Sequence, residues 1–537
     1  MAVIDAFLFI ALALIVGIVI LRHVPPKARP DLSIPRWFIP LLFVCVTALA
    51  AVPYLQQVLS IVNMFNAPVV STAFTVLIDY RSGQGLLAVF AGMILYLISR
   101  LLLRSWCLGI LQTIALVFVI FGVAWMSHAA SLDRFGGFIA DALHLSGASV
   151  WAGVVFVGAF FFSGEKGWRA FALWFHYVAL GAVLSLLVTG LILMQYIVPE
   201  YQNSWLLPYG QLLLIKHLLF LPLIFYGFFH GFLLKQKWKK DPGFVPRRSF
   251  QLEAVLLFVV FFVTGIMAEQ TPPHEVVQTI QFEAPALFAT MWIGDAILPG
   301  SYVAWEVTML AVLFIVACFG VSLLMFWSLY QSRLKIAPLL FSAMIVISGY
   351  GAVITGASTV EGSGAEEMFS TVSEAVKKPF PKTTEVELLQ VKPYGENYKA
   401  AIYTLDGESL IAELFLETEE AYMRLPDARL TIGGTPVEHS DTKIRTFLIE
   451  DGVWQQTGAN YTYITLGYIQ EPENTAEVHV FYEDERHEVE MKNNSFFTYA
   501  TSENRWNENH PFEFYNAQGE EIGGYMRTMM EEGAFCH

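Results

Sequence analysis

Long apolar segments recur through the first two thirds of this 537-residue chain. Eighteen or more apolar residues in a row are enough for a helix to cross the hydrocarbon core of a bilayer. The chain is 55% hydrophobic, its mean hydropathy is +0.53, and a polytopic membrane protein in contact with the lipid bilayer is therefore predicted. The fold expected for this part is an all-α bundle of about ten transmembrane helices, at residues 2–21, 37–57, 84–103, 107–127, 136–162, 170–197, 209–234, 249–269, 302–329 and 337–356.

The Lys and Arg residues of the loops predict how the bundle is oriented. The loops after the first, third, fifth, seventh and ninth segments hold sixteen of them, whereas the other loops hold only Arg81 and Arg134. Loops rich in Lys and Arg stay in the cytoplasm. We therefore expect a multi-pass protein of the cytoplasmic membrane with both termini extracytoplasmic.

The composition changes after Gly356. From Ala357 onward, 33 acidic and 13 basic residues give a net charge of −20. Alternating runs such as AIYTL, AELFLET and YTYITLGY are separated by turn-forming sequences such as LDGES and IGGTP. This pattern predicts an acidic, β-rich extracytoplasmic domain at 381–537, joined by a linker at 357–380.

Two polar residues, Lys216 and His217, lie inside the seventh apolar segment. At 1.5 Å per residue, Lys216 is about 10 Å below the outer end of its helix. The fifth segment places Asp141 and His144 at a similar depth and on one helix face. Because an ammonium group within the membrane needs a partner, we predict a buried ion pair between Asp141 and Lys216, with His144 and His217 facing each other.

Further ligands for soft metals are expected near the same outer surface. Imidazole nitrogen and thioether sulfur are ligands that suit copper, and thioether favours Cu(I). A single membrane His or Met also commonly serves only helix packing; the convergence of several favours a site. The sequence predicts a copper site that draws on His144, His217, His128, Met126, His274 and Met267.

A second layer of histidines supports an alternative. His176 and His230 lie nearer the inner ends of their helices, and two stacked His pairs are how a b-type cytochrome holds two hemes. Heme b and electron transfer within a respiratory complex are therefore the alternative to copper. His217 and His230 are separated by about 20 Å along the helix but by about 140° around it.

The chain ends in a third group of ligand types, in the sequence YMRTMMEEGAFCH. Thiolate, imidazole and thioethers together suit Cu(I), although chain ends are also often frayed. The residues of this predicted terminal copper site are Met529, Met530, Cys536 and His537.

Four stretches of the core resemble the copper resistance D (CopD) family: HLSGASVWAG, FHYVALGAVLSLLVTGLILM, PYGQLLLIKHLLFLPLIFYGFFHGFL and RRSFQLEAVLLFVVFFVTGIMAEQTPP. The resemblance covers a core at 105–273, with N-terminal helices at 1–104 before it and a loop and two helices at 274–356 after it. It implies a membrane protein of copper homeostasis that takes copper inward.

Relatives of this family often carry a CopC-like β-barrel with an N-terminal histidine, and no such segment is found in this chain. The partners expected are an extracytoplasmic copper chaperone or a respiratory-complex subunit. No nucleic acid is expected as a partner. The nucleotide motifs GxGxxG and GxxxxGK[ST] are absent, which argues against an ATP-driven pump on this chain.

Overall fold

The computed structural model divides the chain into two compact units. The first comprises Met1–His274, Pro285–Asp295 and Val303–Ser358, and the second comprises Glu275–Ala284, Ala296–Tyr302 and Thr359–His537. The structure describes residues 2–65, 67–102, 107–273, 286–293, 302–331, 336–360, 368–378, 380, 385–395, 397–405, 409–418, 421–432, 442–450, 452–456, 458–469, 475–483, 485–506 and 510–524.

The first unit is helical. Its helices are α1 (Ala2–His23), α2 (Phe38–Phe65), α3 (Val69–Asp79), α4 (Arg81–Leu102), α5 (Cys107–Trp125), α6 (His128–Leu132), α7 (Gly136–Phe160), α8 (Trp168–Ile197), α9 (Pro208–Phe228), α10 (Leu234–Lys240), α11 (Arg247–Met267), α12 (Leu287–Ile293), α13 (Met309–Tyr330) and α14 (Ala337–Gly356). A π-helical turn at Phe229–Leu233 joins α9 to α10. The short strands β1 (Asp31–Leu32) and β2 (Phe162–Ser163) connect helices within this unit, and β3 (Tyr302–Trp305) and β4 (Ala357–Val360) lie where the chain passes from one unit to the other.

The predicted membrane bundle is confirmed. Among the described residues, nine helices are long and apolar enough to cross a bilayer. The fourth predicted segment, 107–127, corresponds to α5, in which 17 residues, Gly109–Trp125, form a shorter apolar helix. The ninth predicted segment begins later than expected, because the Thr308 side chain accepts a hydrogen bond from Ala311 N at 3.0 Å and caps α13 there.

Helices α1 and α7 are the most enclosed of the membrane helices. They cross at glycines: a Cβ on Gly153 would lie 2.0 Å from the Ala13 carbonyl oxygen, and one on Gly17 would lie 2.2 Å from the Gly153 backbone. Only glycine permits this approach. Among the helices that carry a predicted ligand, α8 is the least enclosed. Exposed apolar side chains form a stripe along it at helical spacing: Leu173, Tyr177, Leu180, Leu184, Leu187 and Leu191. This stripe suits contact with lipid.

Three of the predicted cytoplasmic loops meet at one end of the bundle. Strands β1 and β2 pair antiparallel, with Asp31 opposite Ser163. Arg247 Nη2 donates to the Phe162 carbonyl oxygen at 2.8 Å. These contacts join the loops after the first, fifth and seventh predicted segments, as the alternating topology requires.

The second unit contains the predicted β-rich domain, which is confirmed. Three antiparallel sheets have the strand orders β5-β9-β8-β7-β6, β10-β11-β14 and β13-β12-β15-β16. The strands are β5 (Met368–Phe369), β6 (Val386–Tyr394), β7 (Tyr398–Leu405), β8 (Ser409–Glu417), β9 (Tyr422–Ile432), β10 (Thr442–Ile449), β11 (Tyr461–Ile469), β12 (Thr475–Tyr482), β13 (Glu485–Glu490), β14 (Ser495–Ser502), β15 (Phe512–Asn516) and β16 (Glu521–Gly524), and one helix, α15 (Val372–Lys377), accompanies them.

The sheets of this domain are stacked in layers. Ile402 and Leu414 of the five-stranded sheet share a buried cluster with Ile464 of the three-stranded sheet. The opposite face of the three-stranded sheet contributes Tyr463 to a second cluster with Val480 of the four-stranded sheet. Helix α15 covers the outer face of the five-stranded sheet. The predicted linker at 357–380 therefore includes β5 and α15, which pack on the domain.

Candidate functional site

Helix α7 carries Asp141 and His144 near its N-terminal end. Asp133 fixes this end, because its carboxylate accepts hydrogen bonds from Gly136 N at 2.8 Å and Phe135 N at 3.0 Å. These bonds favour the charged carboxylate and lower the pKa of Asp133. The start of α7, and with it the position of both site residues, is set by this cap.

The His144 ring is held by α8. Its Nδ1 lies 3.0 Å from Thr189 Oγ1, and that hydroxyl donates its own hydrogen to the Ser185 carbonyl oxygen at 2.6 Å. Thr189 must therefore accept the hydrogen bond, which places a proton on Nδ1. This network leaves the Nε2 lone pair of His144 available to a metal ion.

Helix α9 positions Lys216 and His217. It begins at Pro208. Proline suits the first turn of a helix because an N–H group at that position has no acceptor within the helix, so its absence costs no hydrogen bond. Gly210 packs so closely on the preceding turn that a Cβ would lie 1.9 Å from the Ser204 carbonyl oxygen. The close approach explains the glycine of the sequence PYG and fixes the entrance to α9.

The His217 ring contacts a tyrosine outside the helix. Its Nδ1 lies 2.8 Å from the Tyr201 hydroxyl, and the two ring centroids are 5.5 Å apart. The Tyr201 ring also packs at the edge of Trp205. Met267 is buried in a cluster with Tyr209 against which Tyr201 packs. Met267 thus belongs to the same cluster that Tyr201 contacts, and its role as a copper ligand stays a prediction.

Electrostatic interactions link the predicted residues of α7 and α9. The charges of Asp141 and Lys216 interact with each other, and His144 interacts with both Lys216 and His217. The Ser127 hydroxyl also interacts with Asp141. Within the described residues, no nitrogen–oxygen distance of 4.0 Å or less joins Lys216 to Asp141. Their interaction is thus longer than a direct salt bridge, and its contribution to the site stays a prediction.

Met126 and His128 are the sequence neighbours of Ser127. The Ser127 hydroxyl interacts with Asp141 of α7, so both residues lie near the outer end of that helix. Met126 packs on α4, where a Cβ on Gly85 would lie 2.4 Å from Met126 Cγ. His128 is exposed at the start of α6. Met126 therefore helps to join α4 and α5, and a role of either residue as a copper ligand stays a prediction.

His230, from the predicted second layer, lies in a buried polar network. Its Nε2 is 2.8 Å from Ser249 Oγ, and its Nδ1 is 3.1 Å from Glu253 Oε2. Trp151 Nε1 donates to Glu253 Oε1 at 3.1 Å, and the His230 ring stacks on Phe250 with centroids 4.1 Å apart. Both ring nitrogens thus already face polar atoms, and iron coordination would have to displace one of them.

His176 lies on the other side of the same turn. A Cβ on Gly231 would lie 2.3 Å from His176 Cε1, and the His176 ring packs at the edge of Phe232. The π-helical turn thus separates the two histidines of the predicted inner layer. Heme coordination by them stays a prediction.

The remaining predicted ligands, His274, Met529, Met530, Cys536 and His537, lie outside the described residues.

The sequence pattern did not indicate the residues that hold the two histidines. Thr189 stands four residues after Ser185 on α8, and Tyr201 lies in the loop before α9. A Thr-Gly pair in an apolar helix, as in VTG, is the one signal that marks Thr189 as unusual. Nothing in the local sequence marks Tyr201, because its contact with His217 depends on the path of the loop.

The fold and the site define a multi-pass membrane protein whose helical core carries polar and histidine side chains within its apolar interior. Residues 169–267, which run from the start of α8 to the end of α11, match the family model of copper resistance protein D. This segment confirms the resemblance indicated by the motifs over that range. No curated protein and no solved structure matches the chain.

Proposed function

We propose that this protein moves copper across the cytoplasmic membrane and that His144 and His217 form its intramembrane site. The observation that carries the proposal is that α7 and α9 each bring a histidine into the interior of an apolar bundle, where the two rings interact electrostatically. Polar and ionisable residues are costly in a membrane and are typical of ion and substrate pathways. The match to copper resistance protein D supports copper as the ion.

The ligand chemistry supports the same metal. The Nδ1 proton of His144 is held by Thr189, so Nε2 is the nitrogen offered to copper. Imidazole suits copper, and the thioether of Met267, in the cluster against which Tyr201 packs, is a further soft donor. Asp141 supplies the negative charge that offsets Lys216 when a cation reaches the histidines.

The direction proposed is inward from the extracytoplasmic side. The two histidines lie in the outer halves of their helices if the loops rich in Lys and Arg are cytoplasmic. The meeting of three such loops at one end of the bundle supports the alternating topology on which this orientation depends. Protease digestion of intact cells should cleave the C-terminal domain and spare the loop at 235–248; the reverse result would overturn the orientation.

Cu(I) affinity of the purified full-length protein tests the site. Competition with a chromogenic Cu(I) chelator should show binding that His144→Ala and His217→Ala each weaken by at least about 100-fold, since losing even a group that orients a ligand costs about 10–100-fold. His176→Ala is the matched control, because it removes a membrane histidine from the inner layer. Unchanged affinity in both site variants would contradict the proposal. A heme spectrum that disappears in His176→Ala would favour the cytochrome instead.

A further inference from the structure

A group of metal-ligating side chains lies in the C-terminal domain, apart from the membrane helices. In the part of the chain that the structure describes, Glu477, His479 and Glu488 are the one set of three or more His, Cys, Asp or Glu residues whose ligand atoms all lie within 4.8 Å of one another. None of the three belongs to the sites predicted from the sequence.

Strand register places these residues on one face of the four-stranded sheet. Val478 and Val480 of β12 are buried in the domain core, so the alternating Glu477 and His479 face the opposite side. His479 is directly opposite Glu488 on β13. Two neighbouring strands therefore supply the group, and the strand ladder holds their spacing.

His479 is buried without satisfying its ring nitrogens. The residue is 5% exposed, and its Nδ1 has no hydrogen-bond partner. Its Nε2 lies 3.5 Å from Glu477 Oε1, beyond the ordinary hydrogen-bond range of about 2.7–3.2 Å. Two ligands bound to one tetrahedral ion at about 2.1 Å are about 3.4 Å apart. The observed separation thus fits two ligands of one metal ion better than a hydrogen bond.

Neighbouring groups fix the ring and the local charge. The Tyr515 ring stacks on His479 with centroids 3.9 Å apart. Glu513 pairs with His479 on its other side, so it adds a third carboxylate to this face. Arg486 contacts Glu488 Oε1, which leaves Oε2 for a ligand. Three carboxylates and one guanidinium around a neutral imidazole leave two negative charges, which a divalent cation would balance.

We propose that Glu477, His479 and Glu488 bind one divalent transition-metal cation of the kind that accepts mixed nitrogen and oxygen ligands, Cu²⁺ or Zn²⁺. One imidazole and two carboxylates suit these ions better than Cu(I), which prefers sulfur. The Glu477 and Glu488 side chains are 39% and 54% exposed, so an ion reaches the site from solution. The proposal does not rest on copper transport through the membrane helices.

The test uses full-length protein in detergent that carries His144→Ala, His217→Ala, Cys536→Ser and His537→Gln, which removes the proposed membrane site and the predicted terminal site. Titration with ZnCl₂, followed by calorimetry, and with CuCl₂, followed by electron paramagnetic resonance, should show one equivalent bound. The Cu²⁺ spectrum should show nitrogen coupling from one imidazole. His479→Gln and Glu488→Gln should each weaken binding by about 10–100-fold, as loss of a metal-site group does.

The controls separate ligand loss from misfolding. Glu488 is exposed, so Glu488→Gln should keep the fold even if His479→Gln does not. His487→Gln changes the adjacent histidine of β13, which faces Thr498 and Glu485 instead, and it should bind like the parent protein. The proposal is overturned if the parent binds neither ion, or if Glu488→Gln binds the ions with the affinity of the parent. Either outcome says nothing against the membrane site, which is absent from every protein compared.

Discussion

Thr189 determines which ring nitrogen of His144 can bind a metal ion. Its hydroxyl accepts a hydrogen bond from Nδ1–H and donates one to the Ser185 carbonyl oxygen. We expect Thr189→Val to weaken Cu(I) binding by about 10–100-fold without unfolding the protein, since valine keeps the shape but cannot orient the ring. Chelator competition measures the change. Thr264→Val is the matched control, because Thr264 makes the same backbond to Val260 on α11. Equal affinity in the two variants would exclude the orienting role.

Lys216 and Asp141 provide a second residue-scale prediction. Removing one member of a buried charge pair costs about 3–5 kcal/mol, whereas replacing both can be nearly neutral. Lys216→Met alone should therefore abolish copper retention, and Lys216→Met combined with Asp141→Leu should recover part of it. Copper content per purified protein is the measurement. Equal loss in both variants, with normal membrane insertion, would leave Lys216 acting alone, by repelling cations.

His510 predicts how the C-terminal domain responds to acid. It is buried between Tyr463 and Tyr482, and the Phe481 backbone interacts with its ring. Burial lowers the pKa of His510 below its ordinary value. Below about pH 6.5 the unfolded chain therefore takes up a proton that the folded domain resists, and the free energy of unfolding falls.

The matching variant is His510→Phe. It should flatten the fall in the domain's calorimetric unfolding temperature between about pH 6.5 and 5, and leave that temperature little changed near pH 8. His487→Gln, as a control, should keep the slope of the parent. If the unfolding temperature of His510→Phe falls with decreasing pH as steeply as that of the parent, another group is responsible for the pH dependence.

At this scale, helical rise alone led to the prediction that His144 and His217 lie at similar depths and face each other, and this pairing stays a prediction. The sequence could not predict the contacts of three other features. The contact of Thr189 depends on helix rotation, that of Tyr201 on the path of a loop, and the group around His479 on strand register. These features are set by packing between segments distant in sequence.

At the scale of elements, the glycine crossing of α1 and α7 should be intolerant of any side chain. A Cβ on Gly153 meets backbone atoms that cannot rotate away. An added side chain in a packed interior usually lowers the free energy of unfolding by about 1–3 kcal/mol. Because the new side chain would meet backbone atoms, we expect Gly153→Val to lose at least the upper value of that range. The thermal unfolding midpoint in detergent measures the loss. Gly181→Val is the control, since nothing lies within 4 Å of a Cβ there; similar midpoints would contradict the close crossing.

Hydropathy predicted the long helices well because the bilayer imposes their length and composition. It did not predict α3, whose 11 residues lie between two membrane helices, nor the π-helical turn at Phe229–Leu233. Both depend on local backbone geometry that an apolar pattern does not specify. The π-helical turn lies at His230, consistent with the frequent occurrence of such turns at functional sites.

At the scale of the whole molecule, one chain combines an apolar helical unit with an acidic β-rich unit. The membrane unit could be predicted from composition, and the β-rich character of the C-terminal domain followed from its alternating pattern. The stacking of three separate sheets could not be predicted, because alternation shows which side chains face inward but not which sheets meet.

Copper flux is the most direct test of the central claim. Proteoliposomes that contain the full-length protein should take up Cu(I) faster than empty vesicles, and the double variant His144→Ala with His217→Ala should fall to the empty-vesicle rate while His176→Ala stays near wild type. Uptake by the double variant at the wild-type rate would contradict a copper path through these two histidines.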